Sequence, residues 1–332
     1  MTSHIECILL IALSSLVQAA FVLPIRYFRG WRWEQMWVAQ AIACGFWALL
    51  WACMLPRETW RLAAALPLSH WILCYALGVL WGVGGVAYGL TLTRLGISFA
   101  YSFVFGVTIL VGALLPLPFD PAQRLLRPYA FAEGIILGLI GTAAIGIVRR
   151  GHREDDLMAL PFPPPRYRWA IFLAVLAGAF SACYGLAFSV RADVLTSLIT
   201  RGVSPTSAPL VVALPLYIGS ASFAVPFGLI CANRTGSLGL FARRGDLRNL
   251  SLSLAMGICG TCGSLLYGWA ISAQGHLPSN ISYCILTILY VVAGNGLAYF
   301  TGELRRRSFA ANATILASLA CLMSAVWLLR TG

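Results

Sequence analysis

The chain has 332 residues, of which 60% are hydrophobic and only 10% are charged. An average soluble domain carries about 25% charged residues, so this composition excludes an ordinary soluble protein and predicts an all-α integral membrane protein. The net charge of +12 comes entirely from arginine, because the sequence has no lysine. The arginines form short clusters between apolar runs, which is typical of loops that orient membrane helices and gives no indication of a nucleic-acid partner.

Ten apolar runs are long enough to cross a lipid bilayer, since a spanning helix needs about 20 mostly apolar residues. In chain order we predict ten transmembrane helices, spans 1 to 10, at residues 7–25, 36–55, 71–93, 96–116, 129–148, 169–190, 208–232, 250–272, 281–301 and 308–329. The segment 149–168 is rich in arginine and proline. It is predicted to be a solvated cytoplasmic linker between two halves, 1–148 and 169–332.

The distribution of arginine predicts how the spans are oriented. Sixteen of the 23 basic residues lie in the segments that follow spans 1, 3, 5, 7 and 9. The positive-inside rule places these segments in the cytoplasm and both termini outside. No basic residue precedes the first apolar run, so we interpret that run as a span rather than as a cleavable signal peptide.

Spans 3 and 8 share a pattern at a fixed offset. Five residues recur 179 positions later, so that Gly78, Gly84, Tyr88, Gly89 and Gly96 match Gly257, Gly263, Tyr267, Gly268 and Gly275. Because five spans is an odd number, the second half enters the membrane from the opposite side. We therefore predict two inverted five-helix repeats, an architecture in which two halves rock around a site near the membrane midplane.

Small residues and prolines mark predicted packing surfaces. Gly134 and Gly138 form a GxxxG motif in span 5, which predicts close packing against span 10 or against a second copy in a homodimer. Three prolines, Pro209, Pro215 and Pro226, predict kinks in span 7 that free backbone carbonyls toward a cavity.

The segments around spans 2 to 4 carry the most specific motifs. These are WRWEQMW at 31–37, YGLT at 88–91 and GVTILVG at 106–112, and FSA at 180–182, VALP at 212–215 and GH at 275–276 follow in order. Together they resemble the L-rhamnose–proton symporter family of the drug/metabolite transporter superfamily. The resemblance implies ten helices in two inverted repeats, both ends in the periplasm, and cation-coupled sugar uptake across a bacterial inner membrane. It also implies a cavity lined by spans 1–4 and 6–9, with spans 5 and 10 peripheral.

A sugar site needs amide and hydroxyl partners together with flat aromatic walls. Polar groups deep in membrane spans are costly unless they are paired, so they are the first candidates for such a site. The predicted substrate-binding residues are Gln18, Trp37, Gln40, Tyr88, Tyr101, Tyr184, Tyr217, Tyr267, Gln274, Asn280 and Tyr283, with Trp81 as a further stacking surface. For any one aromatic residue, an interfacial anchor is the alternative interpretation.

Cation coupling has fewer candidates, because no Asp or Glu lies deep within a predicted span. Glu133 and His276 are the predicted proton-coupling residues, and sodium coupling or uncoupled diffusion are alternatives. A metabolite or amino-acid exporter of the same superfamily is the alternative function. We predict no enzyme activity, cofactor or metal, since Cys259 and Cys262 lie in an apolar span where a CxxC indicates helix packing.

Overall fold

The computed structural model describes residues 2–95, 97–116, 128–150, 167–242, 246–272, 279–300 and 309–331. Within these ranges the chain forms helices and no strand. The α-helices are α1 (Thr2–Ala20), α2 (Trp33–Cys53), α3 (Arg57–Ala64), α4 (Leu68–Leu95), α5 (Ile97–Leu114), α6 (Pro128–Arg150), α7 (Tyr167–Ser181), α8 (Cys183–Val190), α9 (Ala192–Thr200), α10 (Ala208–Arg234), α11 (Asp246–Ser272), α12 (Ser279–Phe300) and α13 (Phe309–Thr331). Two short 3-10 helices lie at Leu23–Tyr27 and Leu238–Ala242.

Eight helical segments of the described chain are long and apolar enough to cross a membrane, namely α1, α2, α4, α7 with α8, α10, α11, α12 and α13. Shorter apolar stretches, Phe103–Leu114 in α5 and Ala132–Ile145 in α6, lie at predicted spans 4 and 5. Large apolar side chains cover the outside of the bundle, among them Leu9 and Trp327, which are 62% and 63% exposed. Such a surface suits lipid, where every backbone group must be bonded within the protein.

Three features of this fold differ from a simple reading of hydropathy. Predicted span 6 is divided, because α7 ends at Ser181 and α8 begins at Cys183. The short helices α3 and α9 contact each other and are too short to register as spans. Helix α2 begins at Trp33, three residues before the predicted start of span 2. Glu34 therefore lies inside the first turn of the helix.

Helix pairs with glycine at the contact build the centre of the bundle. Helix α4 packs against α7 and α10, and α11 packs against α1 and α2. Gly78 of α4 faces the backbone of Leu216 in α10, and Gly257 of α11 faces the backbone of Ala43 in α2. A Cβ atom at either glycine would meet backbone atoms that cannot move aside. The two glycines therefore let the helix backbones approach closely, which is the main source of helix association in lipid.

Helices α6 and α13 pack together along their lengths. Gly134 faces Leu329 of α13, whereas Gly138 faces Ile288 of α12. Packing of span 5 on span 10 is thus confirmed. Both glycines of the GxxxG motif make their contacts within one chain.

Helix α10 continues through Pro215 and Pro226. Proline has no N–H group, so Pro215 leaves the carbonyl of Val211 without its helical donor. His70 of α4, which is fully buried, places Nε2 3.4 Å from this carbonyl oxygen. The freed carbonyl at Val211 therefore faces a histidine on a neighbouring helix, and the prediction that it opens toward the cavity is wrong.

Candidate functional site

A cavity of about 180 Å³ lies within the bundle. Its described lining comes from α1, the turn that follows it, α2, α4, α5, α7, α8, α10, α11 and α12, and includes no residue of α6 or α13. A space of roughly 10–15 Å³ already admits one water molecule, so the cavity has room for a small solute.

Two glutamines place amide groups at the cavity. Gln18 Nε2 donates to Ser14 Oγ at 3.0 Å, and Ser14 Oγ donates in turn to the carbonyl of Gly263 at 2.6 Å. Gln40 Nε2 lies 3.0 Å from Cys44 Sγ. Each amide is thus held by a side chain one helical turn away. A glutamine carries two donors and an acceptor oxygen, so one such bond leaves each amide with capacity for a ligand.

Three tyrosines are fixed at the wall by their hydroxyl groups. Tyr217 Oη lies 2.7 Å from Ser264 Oγ, and Tyr184 Oη donates to the Ser264 carbonyl at 3.1 Å. Tyr283 Oη donates to the carbonyl of Ser181 at 2.8 Å, where α7 gives way to α8. Because these hydroxyls are bonded to α11 and α7, the tyrosines contribute rigid ring surfaces to the cavity.

Two clusters of aromatic rings line the cavity, and each joins a ring of α4 to rings of two other helices. Trp81 packs against Tyr184 and Tyr217, with both pairs of ring centroids 5.3 Å apart. Tyr88 packs against Trp37 at 6.4 Å and Phe105 at 5.8 Å. Aromatic faces of this kind offer apolar contact area, while a polar group at the ring edge can bond a neighbour. A ligand with a weakly apolar face fits such walls.

Seven of the predicted binding residues line this cavity: Gln18, Trp37, Gln40, Tyr88, Tyr184, Tyr217 and Tyr283. Tyr267 and Asn280 do not. Tyr267 is fully buried behind the wall and donates to the carbonyl of Ser279 at 3.2 Å. Asn280 is also fully buried, and its Oδ1 accepts the backbone N–H of Ile281 at 2.8 Å.

The remaining candidates fall elsewhere. Gln274, His276 and the side chain of Tyr101 lie outside the described residues. Glu133 is exposed on α6 and is not a lining residue.

Sequence reasoning missed the small hydroxyl groups and several aromatic rings of the lining. These are Ser181, Ser220, Ser264 and Thr287, with Phe21, Phe105 and Tyr290. Serine and threonine are common at helix contacts in membranes, so no pattern in the sequence separated them from packing residues.

The described lining is mainly apolar, with a few amide and hydroxyl groups, and it is uncharged. It contains no Asp, Glu, Lys, Arg or His, and no three His, Cys, Asp or Glu residues of the described chain are grouped to hold a metal ion. Transferring a charged solute into such a cavity would leave its charge without a partner. The site therefore suits a neutral molecule with hydroxyl groups.

A membrane bundle around a small, uncharged cavity with amide and aromatic walls is typical of the class of solute transporters. The model of one family, the L-rhamnose-proton symport protein (RhaT), matches residues 2–326. The chain belongs to this family.

Individual relatives agree with this assignment. The chain is 28% identical over 293 residues to an L-rhamnose-proton symporter of Escherichia coli O1:K1 / APEC, covering 83% of each chain. The same identity, length and coverage relate it to an L-rhamnose-proton symporter of Shigella flexneri. A crystal structure of another protein is similar over 97% of both chains, with a TM-score of 0.57 and 20% identity, and this likeness concerns the fold alone.

Proposed function

We propose that the protein is a secondary active transporter that takes up L-rhamnose or a related deoxy-sugar together with a proton across a bacterial inner membrane. The uncharged cavity carries this proposal, since its amides can bond sugar hydroxyls and its ring faces can contact the sugar. Family membership supplies the substrate class and the ion. Sodium is the ion to be tested against the proton.

The transport cycle we propose is alternating access between two inverted five-helix halves, 1–148 and 169–332, joined by the segment 149–168. Helix contacts support it: α11 packs on α1 and α2, and α4 packs correspondingly on α7 and α10. Three further contacts each join two helices at equivalent positions of the predicted halves. They are α2 with α10 (spans 2 and 7), α5 with α12 (spans 4 and 9) and α6 with α13 (spans 5 and 10). Two halves related by a twofold axis would produce this exchange of partners, and an inverted pair can rock around a central site.

Uptake by proteoliposomes tests the proposed function. With an inside-alkaline pH gradient, we expect radiolabelled L-rhamnose to accumulate above its external concentration, and a sodium gradient to have no such effect. Equal uptake with and without the wild-type protein, under every ion gradient and with several deoxy-sugars, would contradict the proposal.

Two substitutions test, in the same uptake assay, whether this cavity is the sugar site. Gln18→Ala and Gln40→Ala each remove an amide that lines the cavity. Loss of one hydrogen bond costs about 1 kcal/mol, so we expect the apparent affinity for the sugar to fall about five- to tenfold. Asn233→Ala is the matched control, since it removes an exposed amide outside the lining. An unchanged affinity in both glutamine variants would exclude this cavity as the sugar site.

A further inference from the structure

Helices α2 and α10 both line the cavity, and they meet again at the C-terminal end of α10, the end opposite His70. Here α10 closes with Gly236 in the left-handed region, at φ 64°. The N–H of Ser237 donates to the carbonyl of Ala232 at 2.8 Å, and the N–H of Gly236 donates to the carbonyl of Asn233 at 3.1 Å. These are the two bonds of a Schellman motif, which fixes the side chains that flank the glycine.

The flanking side chains, those of Thr235 and Ser237, bind the first turn of α2. Thr235 Oγ1 donates to Glu34 Oε1 at 2.9 Å. Gln35 Nε2 donates to the carbonyl and to Oγ of Ser237, both at 2.8 Å. We call this contact between the first turn of α2 and residues 232–237 the α2–α10 seam. It lies one helical turn beyond Trp37 of the cavity wall.

Glu34 is the one Asp or Glu that is buried among the described residues, with 1% of its surface exposed. Its Oε1 has the donor from Thr235, whereas its Oε2 is buried without a hydrogen-bond partner. A charged carboxylate left in this state is costly, because burial removes water and no described residue supplies an ion pair or a second donor. A protonated Glu34 would leave no charge buried at the seam.

Several titratable or charged groups lie on the elements that surround Glu34, and none forms an ion pair with it within the described chain. Arg32 at the N-cap of α2, Arg234 on α10 and Arg248 on α11 are exposed. Cys231 of α10 is half-buried. The 3-10 helix Leu238–Ala242 carries no charged residue. The cations stand in solvent at the same end of the molecule, where they would neutralise a carboxylate that becomes exposed.

We propose that Glu34 carries the coupling proton. While the α2–α10 seam is closed, Glu34 is a neutral acid beneath it. When the seam opens, water reaches the carboxyl, its O–H bond breaks, and the proton passes to water. The carboxylate that remains regains a proton from water on the cavity side, one helical turn away at Trp37, before the seam closes over it again. The inference rests on the proposed proton-coupled transport of a sugar. It assigns the coupling step to a residue outside the cavity and before the predicted start of span 2.

Two transport assays separate proton coupling from sugar movement. Glu34→Gln keeps the shape of the side chain but cannot release a proton. We expect this variant to exchange L-rhamnose across the membrane within about twofold of the wild-type rate, while accumulation driven by a pH gradient falls to the equilibrium level. Glu58→Gln, which changes an exposed carboxylate, and Glu133→Gln should both accumulate normally. Normal accumulation by Glu34→Gln, or its loss in Glu133→Gln alone, would overturn the inference.

A spectroscopic measurement tests Glu34 independently of the sugar. Infrared difference spectra between acid and alkaline pH should show the C=O stretching band of a buried, protonated carboxylic acid in the wild type. The band should be absent in Glu34→Gln and present in Glu58→Gln. A wild type that has this band but transports no sugar would contradict the proposed function alone, whereas a band unchanged in Glu34→Gln would contradict the role of Glu34 alone.

A second pair of variants tests the role of Glu34 even if Glu34→Gln does not fold. Thr235→Val removes the hydroxyl that donates to Oε1, and Thr235→Ser keeps it. We expect the carboxyl band to shift and accumulation to fall at least threefold in Thr235→Val, with both preserved in Thr235→Ser. The same band position in the two variants would show that Thr235 does not hold the proton-carrying group.

Discussion

Tyr283 illustrates how single residues set the shape of the cavity. Its hydroxyl donates to the carbonyl of Ser181, and its ring lies against two glycines, Gly112 of α5 and Gly185 of α8. A Cβ atom at Gly112 would lie 2.7 Å from Cδ1 of the ring, closer than two carbon atoms can approach. The glycines therefore determine where this wall of the cavity stands.

Gly112→Ala should displace the Tyr283 ring and disturb both folding and binding. Overpacking of a close contact costs about 1–3 kcal/mol, which we expect as a lower thermal midpoint in detergent and a several-fold weaker sugar affinity. Gly106→Ala on the same helix is the control, because its Cβ would meet Thr142 Cγ2 at an ordinary 3.6 Å. Equal midpoints and affinities for the two variants would show that the ring adapts freely.

At the scale of elements, the contact between α4 and α10 depends on compensation between a proline and a histidine. Pro215 removes the helical donor for the Val211 carbonyl, and His70 Nε2 occupies that place. The bond fixes α4 against α10 on the side of the bundle away from the seam. His70 therefore compensates for the hydrogen bond that Pro215 removes from α10.

A double-mutant cycle measures this compensation. His70→Leu leaves the buried Val211 carbonyl without a donor, which costs about 1–3 kcal/mol. Pro215→Ala supplies an N–H group, so we expect the His70→Leu substitution to destabilise the protein clearly less when Pro215→Ala is also present. Thermal unfolding of the four proteins gives the coupling. Additive effects of the two substitutions would show that the contact contributes nothing.

Elements also show what could be predicted from sequence. Apolar length located the helices, because burial in lipid demands it. It could not fix the rotation of helices that are apolar on every face. Tyr88 and Tyr267 are equivalent in the predicted repeat, yet of the two only Tyr88 lines the cavity. The predicted spans are runs without charged residues, so span 2 is predicted to begin after Glu34, whereas α2 begins at Trp33. A method that takes charges as span limits must miss a buried carboxylate in the first helical turn.

At the scale of the whole molecule, the predicted topology gathers 16 of the 23 arginines at one end of the bundle. Helix α2 runs from the seam, near Arg32 and Arg234, to Cys53 at its other end. Its 21 residues rise about 30 Å at ~1.5 Å per residue, which matches the hydrocarbon thickness of a bilayer. The positive-inside rule predicts that Cys53 faces outward.

Labelling in intact cells tests this orientation. In a variant that keeps only Cys53, which is exposed, we expect a membrane-impermeant maleimide to react from outside. In the matched variant, with R234C as its only cysteine, reaction should require lysis of the cells. The reverse pattern would place the arginine-rich end outside and invert the proposed topology.

The uncharged lining of the cavity has an energetic consequence for the working cell. A neutral sugar in a neutral cavity carries no charge across the membrane, so the electrical driving force acts only on the ion that accompanies it. One elementary charge moved through 100 mV yields about 2.3 kcal/mol, equivalent to about a fiftyfold concentration ratio. A cycle with a single proton-carrying carboxyl would thus concentrate the sugar about fiftyfold per 100 mV of membrane potential, and an inside-alkaline pH gradient would multiply that ratio.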